Sequence, residues 1–414
     1  MKHVNVLMVA LSLLFGLGLA QEGSLDIISN WGPDDPKGPP LQEIISGFEE
    51  ELGITVNLEI VPGEDIPTRV ETAFLGGEEP DLVLQNLLGP TREWVADGVA
   101  VPVTSYMDEW DLPAFREAAL QTYQIDDELV AFPLEGYNWP MWFNTDILSE
   151  AGVESVPTTF EELKTAAQQV RDAGYEPFAL GGSDWTGGDW FISTLIGTLP
   201  PEEYESVLGE GNFADNETAV AFVNEFVDLR DSGVFADNVE GLEFNTMNEM
   251  FFSGEAAMMH GGSWSYGELP EEMADSVTLG GVPLSPDSAS DQPTMWSSYR
   301  AKGVFVTRNG TENLDAVQAF VEYLYRPENI ALFVEAAGML PPLQEVPFDE
   351  SAVPPLFTQS LNELDAAVVP TSDMVPPSIV GDAGWYGVTS LAFVPGTSAE
   401  EILSAIEDLY AQAQ

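Results

Sequence analysis

The chain is expected to fold as an α/β protein of two domains, and three observations lead there. Apolar residues alternate in short runs such as SLDIISNW and DLVLQN, whereas in PPLQEIISGFEEELG they recur at three- and four-residue spacing. Strand patterns and helix patterns then follow one another, which is the rhythm of a largely parallel sheet flanked by helices. At 414 residues and 44% apolar composition the chain is long enough to bury a core in each of two domains.

Taken in order, residues 1–20 (MKHVNVLMVALSLLFGLGLA) place a lysine before an apolar run that ends in small residues. This is the layout of a secretory signal peptide, with cleavage expected after Ala20. Ser24 to Trp31 reads as a first strand, and the segment through Leu52 reads as a helix with Leu41, Ile44, Ile45 and Phe48 on one face and Gly53 as its stop. ITVNLEIV is a second strand, Thr68 to Leu75 a helix, and Asp81 to Asn86 a third strand. LVAFPLEGY is a strand interrupted by Pro133, and TTFEELKTAAQQVRDAG is a helix that starts at Thr158/Thr159 and stops at Gly174. EPFALGG continues the alternation, GGSDWTGGDW reads as a glycine-rich loop, and AVAFVNEFVDLRDSG reads as a helix. A short strand at Ala256 to Met259 leaves through a glycine-rich segment carrying Trp264. Residues 280 to 298 are loop-like, Gly303 to Arg308 returns to strand, and the helical pattern from Leu314 breaks at Arg326-Pro327.

Composition narrows the function mainly by exclusion. The formal charge is −58, from 12 Lys+Arg against 70 Asp+Glu. Loss of residues 1–20, whose only charged side chain is Lys2, makes it −59. Nucleic acid and anionic lipid surfaces need clustered cations, so neither is an expected partner. The acids are scattered along the chain, which fits solubility in a salty medium better than a single acidic binding surface. There is no cysteine, hence no disulfide and no lipidated anchor residue. Beyond the leader only His260 remains, and it reads as a structural histidine, so neither a histidine-rich metal site nor a Ser-His-Asp triad is expected. No phosphate loop or dinucleotide fingerprint occurs, and GGSWSYG misses the serine-elbow register. Neither a metal nor a cofactor is expected.

In open α/β sheets ligands bind beyond the carboxyl ends of the strands. Trp31, Gln85 and Asn86 sit at such ends and are candidate pocket residues, with a structural cap the rival role for Trp31.

Several segments resemble, in order, the extracellular solute-binding proteins of bacterial ABC transporters, in the carbohydrate-binding group that includes maltose-binding protein. They are EEPDLVLQN, AFPLEGYNWPMWFNTDILSEAG with PTTFEEL, FSGEAAMMHGGSW, and the helix ending in AAGMLPP. NWPMWFN, ALGGSDWTGGDWF and GGSWSYGEL look most like the subgroup that takes glucose and related small sugars. The chain departs from that subgroup at Ser263, where an acid is usual, and at Gly136-Tyr137, where basic or imidazole groups are usual.

The resemblance implies a two-lobed periplasmic-binding-protein fold of class II type, each lobe a mostly parallel sheet flanked by helices, joined by a multi-strand hinge. The crossings would fall near Pro133, near Ala301 to Gly303 and near Pro341. Lobe 1 would then comprise residues 21–132 and 303–340, and lobe 2 residues 133–302 and 341–414. It further implies a secreted, extracytoplasmic, non-catalytic monomer that closes on a sugar and delivers it to the permease of an ABC transporter.

A pyranose presents apolar C–H faces and a rim of hydroxyls, so a site for it needs flat rings beside amides and carboxylates. Trp139, Trp185, Trp264, Trp296 and Trp385, with Trp31, are the tryptophans placed to supply faces. Asn138, Asp184 and Asp189 are placed to meet hydroxyls. In NWPMWFN, Trp142 and Phe143 are expected in the core, as are Trp94 and Trp110 in helix-like segments. Arg300 and Lys302 are expected to form salt bridges with surplus acid. Two rival readings remain open: a receptor of the same fold for a polyol or glycerol phosphoester, and a secreted glycosidase using an acid pair.

Overall fold

A computed structural model describes residues 23–125, 127–293, 295–363, 367–368, 375–376, 379–381 and 383–413. The leader expected over residues 1–20 lies outside them. The strands are β1 (Ser24–Ser29), β2 (Thr55–Ile60), β3 (Leu82–Gln85), β4 (Gln124–Ile125), β5 (Glu128–Leu129), β6 (Phe132–Trp139), β7 (Met141–Asn144), β8 (Glu176–Ala179), β9 (Ala256–His260), β10 (Val277–Gly280), β11 (Met295–Val306) and β12 (Ala367–Val368).

Local rules explain the elements that place the functional residues. In the helix Gly38–Leu52, Leu41, Ile44, Ile45 and Phe48 are buried, and Gly53 ends it at φ +70°, a conformation that costs glycine little. The helix Phe160–Ala173 starts on a reciprocal cap. Glu162 donates its backbone N–H to Thr159 Oγ1, and its carboxylate accepts from the Thr158 N–H and hydroxyl at 2.8 Å.

Two sheets organise the molecule. The first runs β12-β11-β3-β1-β2, with β6 also paired to β11; β1 is parallel to β2 and β3, and β11 is antiparallel to β3 and β6. The second runs β10-β7-β9-β8 and departs from the expected parallel arrangement. Only β8 and β9 are parallel, while β7 is antiparallel to both neighbours. β7 follows β6 across Pro140 alone, so it enters its sheet straight from the first sheet.

Each sheet has its own apolar core. One gathers residues from Leu25 to Leu134 and from Val304 to Leu343, and the other residues from Tyr137 to Met295 together with Val334 and Val353 to Tyr410. Both β6 and β11 run from one core to the other. A third passage lies beside them, where Leu340 bridges to Gly136 and Leu343 to Phe115. Gly136 sits at this junction for steric reasons: a Cβ there would lie 2.7 Å from the Tyr299 ring and 3.1 Å from Leu340.

GGSDWTGGDW is not a loop. A helix, Trp185–Thr198, begins inside it, and Asp184 caps that helix by accepting from the Thr186 N–H at 2.9 Å. The glycines allow close packing, since a Cβ on Gly187 would lie 2.7 Å from the Gly181 carbonyl oxygen. The segment around Trp385 is likewise a helix, Trp385–Thr389, and the strand expected from Gly303 begins already at Met295. Among the described residues no helix is long and apolar enough to cross a membrane.

Candidate functional site

The carboxyl ends of β1 and β3, the crossing part of β6 and β11, and the start of the helix Trp185–Thr198 meet at the junction between the two cores. On the side of the first core the arrangement is a charge network. Lys302 is 2% exposed and donates from Nζ to Asn30 Oδ1 at 2.5 Å and to Asn86 Oδ1 at 3.2 Å. Its cross-strand neighbour is Glu135, whose Oε1 lies 3.2 Å from Lys37 Nζ; Asp35 Oδ1 is 3.6 Å from the same ammonium. Both ammonium groups sit over the Trp31 ring, Lys37 at 5.7 Å and Lys302 at 5.4 Å from its centroid.

Burial pushes the Lys302 ammonium down to about 8, against the pull of Glu135. Burial also works against charge on Lys37, but Glu135 and Asp35 together hold it above the usual lysine range. The buried Glu135 carboxylate thus stands beside both buried ammonium groups of this wall.

The side of the second core is aromatic. Trp139 stacks on His260 with centroids 5.3 Å apart and planes 9° from parallel, and it meets Trp185 and Trp264 at 5.4 Å each. Tyr137 closes the group at 5.2 Å from Trp264, and Phe244 backs Trp185 at 5.3 Å. His260 is fully buried, which pushes its pKa down to about 3 and keeps the imidazole neutral.

Polar atoms without partners collect here. Among the described residues, Asn138 Oδ1 and Trp139 Nε1 are buried with no hydrogen bond. Asn138 is otherwise anchored, donating its N–H to Ser263 Oγ at 3.0 Å and Nδ2 to Ser360 Oγ at 2.9 Å. Asp189 is 5% exposed, and burial lifts its pKa to about 7 although Arg300 draws it down. Arg300 donates from Nε to Tyr137 Oη at 3.0 Å.

The structure thus brings Trp139, Asn138, Trp185, Asp189 and Trp264 together, with Trp31 and Asn86 on the facing wall. It assigns other work to four candidates. Gln85 spends its amide on the exit of β3, donating to the Gly63 carbonyl oxygen at 2.9 Å and accepting from the Asn86 N–H at 2.8 Å. Asp184 is committed through both oxygens, to Thr186 and to the Phe244 N–H. Trp385 is 2% exposed and packs among Phe191, Phe213 and Tyr410 inside the second core. Trp296 pairs through its backbone with Trp139, and its side chain lies outside the described part. Trp31, with Phe333 at 5.2 Å and two ammonium groups on its ring, is a support for cations rather than an open face.

Trp142 and Phe143 are fully buried, and Trp94 and Trp110 belong to the first core. Sequence reasoning did not single out Lys37 or Glu135, and it marked Tyr137 and Ser263 only as departures from the small-sugar subgroup. Glu135 had a visible signal, a lone acid in the apolar run LVAFPLEGY. Lys302 is held by amide oxygens, with Glu135 beside it in register, rather than by a direct ion pair.

Two α/β units joined by three passages, with rings and hydrogen-bonding groups gathered at the junction, define a solute receptor of the two-lobed binding-protein class. The chain belongs to the bacterial extracellular solute-binding protein family, whose profile matches residues 32–331. It is 24% identical over 411 residues to the alpha-glucosides-binding periplasmic protein AglE of Rhizobium meliloti (strain 1021), covering 93% of this chain and 86% of that protein. A maltotriose-binding protein of Pyrococcus abyssi is 24% identical over 331 residues, 78% of this chain and 67% of the relative. Among solved structures, a "probable secreted solute-binding lipoprotein" from Streptomyces coelicolor superposes with a TM-score of 0.82 at 30% identity, covering 94% of this chain and 98% of that one. A chitin oligosaccharide binding protein shares the fold at TM-score 0.80 and 20% identity, covering 95% and 99% of the two chains.

Proposed function

We propose that the protein is an extracytoplasmic sugar receptor, released by cleavage after Ala20, that binds a small sugar between its lobes and hands it unaltered to an ABC transporter permease. The observation that carries this reading is the group Trp139, Trp185 and Trp264, set beside the unpartnered Asn138 Oδ1 and Trp139 Nε1 and the buried Asp189. Rings match the C–H faces of a pyranose, and the amide, indole and carboxylate match its hydroxyls. The names of the relatives point to the same chemistry. We assign residues 21–132 and 303–340 to one lobe and 133–302 and 341–414 to the other, and we take the working unit to be a monomer.

The test is calorimetric titration of the mature protein with glucose, maltose, raffinose and glycerol 3-phosphate, with the sugars recovered afterwards. Saturable binding of a neutral sugar, returned intact and weakened at least about tenfold by Trp264→Ala, is the expected result. Binding of the phosphoester alone would move the assignment to an anionic solute read by Arg300 and Lys302. Release of reducing sugar would make the protein an enzyme.

A further inference from the structure

In GGSWSYG, whose serines miss the elbow register, the glycines carry the information. Gly262 has φ −77° and ψ 159°, a backbone that any residue adopts, so conformation does not call for glycine there. Space does: a Cβ at Gly262 would overlap Cη2, Cζ3 and Cζ2 of the Trp264 ring. The turn that lays the ring back is closed by the Ser265 N–H, which donates to the Gly262 carbonyl oxygen at 3.1 Å. The chain around it is tied down. Gly261 donates its N–H to the Pro140 carbonyl oxygen at 3.3 Å and accepts from Trp142 Nε1 at 2.7 Å, and Ser263 Oγ accepts from the Asn138 N–H at 3.0 Å. A side chain at position 262 would therefore displace the indole and not the backbone. The indole's centroid lies 5.2 Å from that of Tyr137, 5.4 Å from that of Trp139 and 6.1 Å from that of Trp185. Tyr137 and Trp139 are buried while Trp264 is only partly so, which leaves solvent as the open direction for its ring.

We propose that Gly262 is a positioning residue of the sugar site: by carrying no side chain it lets the Trp264 indole fold back over the chain into contact with Tyr137, Trp139 and Trp185, and sugar affinity depends on that placement. The inference rests on the sugar-receptor reading and adds to it the residue that aims one of its rings. Clearing a Cβ to an ordinary contact distance moves the indole by about 1 Å, more than the roughly 0.5 Å within which a binding constellation has to be held. Gly262 thus acts on the ligand only through Trp264, and its effect should vanish when the overlapped ring atoms are removed.

The experiment is calorimetry with glucose and maltose, together with near-ultraviolet circular dichroism of the free protein, on the mature wild type, Gly262→Ala, Trp264→Phe and the double variant. A phenyl ring ends short of the three overlapped atoms. Gly262→Ala is expected to bind sugar about tenfold more weakly and to show a reduced indole signal, with a thermal midpoint within about 2 °C of the wild type. Made on top of Trp264→Phe, the same substitution should cost less than about twofold in affinity. Should Gly262→Ala fail to fold, the double variant decides: it is expected to fold and to bind sugar as Trp264→Phe does, and its failure to fold would overturn the inference. Unchanged sugar affinity in Gly262→Ala would overturn the inference and leave the receptor reading intact. So would an equal loss with and without the indole, because Gly262 would then act through the chain and not the ring. Failure of the wild type to bind any sugar would overturn both.

Discussion

Replacing Glu135 by Leu tests the charge network at the junction most directly. The carboxylate is 6% exposed, accepts from Lys37 Nζ at 3.2 Å and stands opposite Lys302 in the β6–β11 register. Without it, Lys37 keeps Asp35 at 3.6 Å, and Lys302 keeps the amide oxygens of Asn30 and Asn86 but loses its cross-strand carboxylate. Stripping a buried pair of one partner costs about 3–5 kcal/mol. If the lobes unfold together, the entropy of a chain this long turns that into a fall of roughly 4–6 °C in midpoint. The pH dependence identifies the cause. Burial pushes Lys302 down to about 8 in the fold, from an ordinary lysine value of 10.5. Between those values the unfolded chain binds more protons than the native one, so stability rises with pH across that window. At about 1.4 kcal/mol per unit, the charge on Lys302 at neutral pH costs on the order of 3 kcal/mol, which deprotonation returns. Loss of Glu135 deepens this penalty, so the deficit of Glu135→Leu should be largest near pH 7 and shrink above pH 8. The assay is thermal unfolding followed by near-ultraviolet circular dichroism at pH 7 and pH 9.5. A deficit under about 1 °C at pH 7, or one that is the same at both pH values, would refute the reasoning.

Other predictions follow from single contacts. Trp385→Ala should cost about 3–5 kcal/mol in unfolding experiments, since its ring fills the core between Phe213 and Tyr410, while any folded fraction binds sugar with unchanged affinity. Asp184→Ala removes the cap of the helix Trp185–Thr198 and the acceptor for the Phe244 N–H; denaturant titration should show a loss of about 1–3 kcal/mol. His260, pushed down to about 3 by burial, should show no imidazole titration by NMR between pH 8 and 4. Because its folded pKa lies below that of the unfolded chain, its contribution to stability declines as pH falls below about 6.5.

The fold was legible wherever one local period ran without interruption. The helix Gly38–Leu52 carries its apolar face, its proline start and its glycine stop in the sequence, and the strands SLDIIS and DLVLQ alternate or stay apolar as buried strands do. GGSDWTGGDW was misleading because its glycines serve tertiary contact. Gly181 leaves room for the Thr186 and Asp184 side chains, and Gly187 lets the first helical turn lie on the Gly181 carbonyl. Propensity registers four glycines there and misses the fit. Trp385 was unreadable for a similar reason, since a tryptophan beside GWYG looks the same whether its neighbours are solvent or Phe191, Phe213 and Tyr410.

The candidate site separates in the same way. Residue types at strand ends could be read from alternation, but partnerships could not. Lys302 reaches Asn30 across 272 residues of chain and Asn138 reaches Ser360 across 222, and no local pattern encodes either. What those partnerships create is a division of labour between the walls. The buried ammonium groups on the side of the first core have their hydrogen-bond partners within the wall: Lys37 is held by Glu135, and Lys302 by Asn30 and Asn86. Asn138 Oδ1 and Trp139 Nε1 of the second core hold unpaired capacity. A hydroxyl-bearing ligand therefore gains more by docking first on the aromatic wall, where its hydrogen bonds replace none that the protein already makes. Closure of the charged wall over a sugar, as the proposed function has it, would need no rearrangement of Lys37, Glu135 or Lys302.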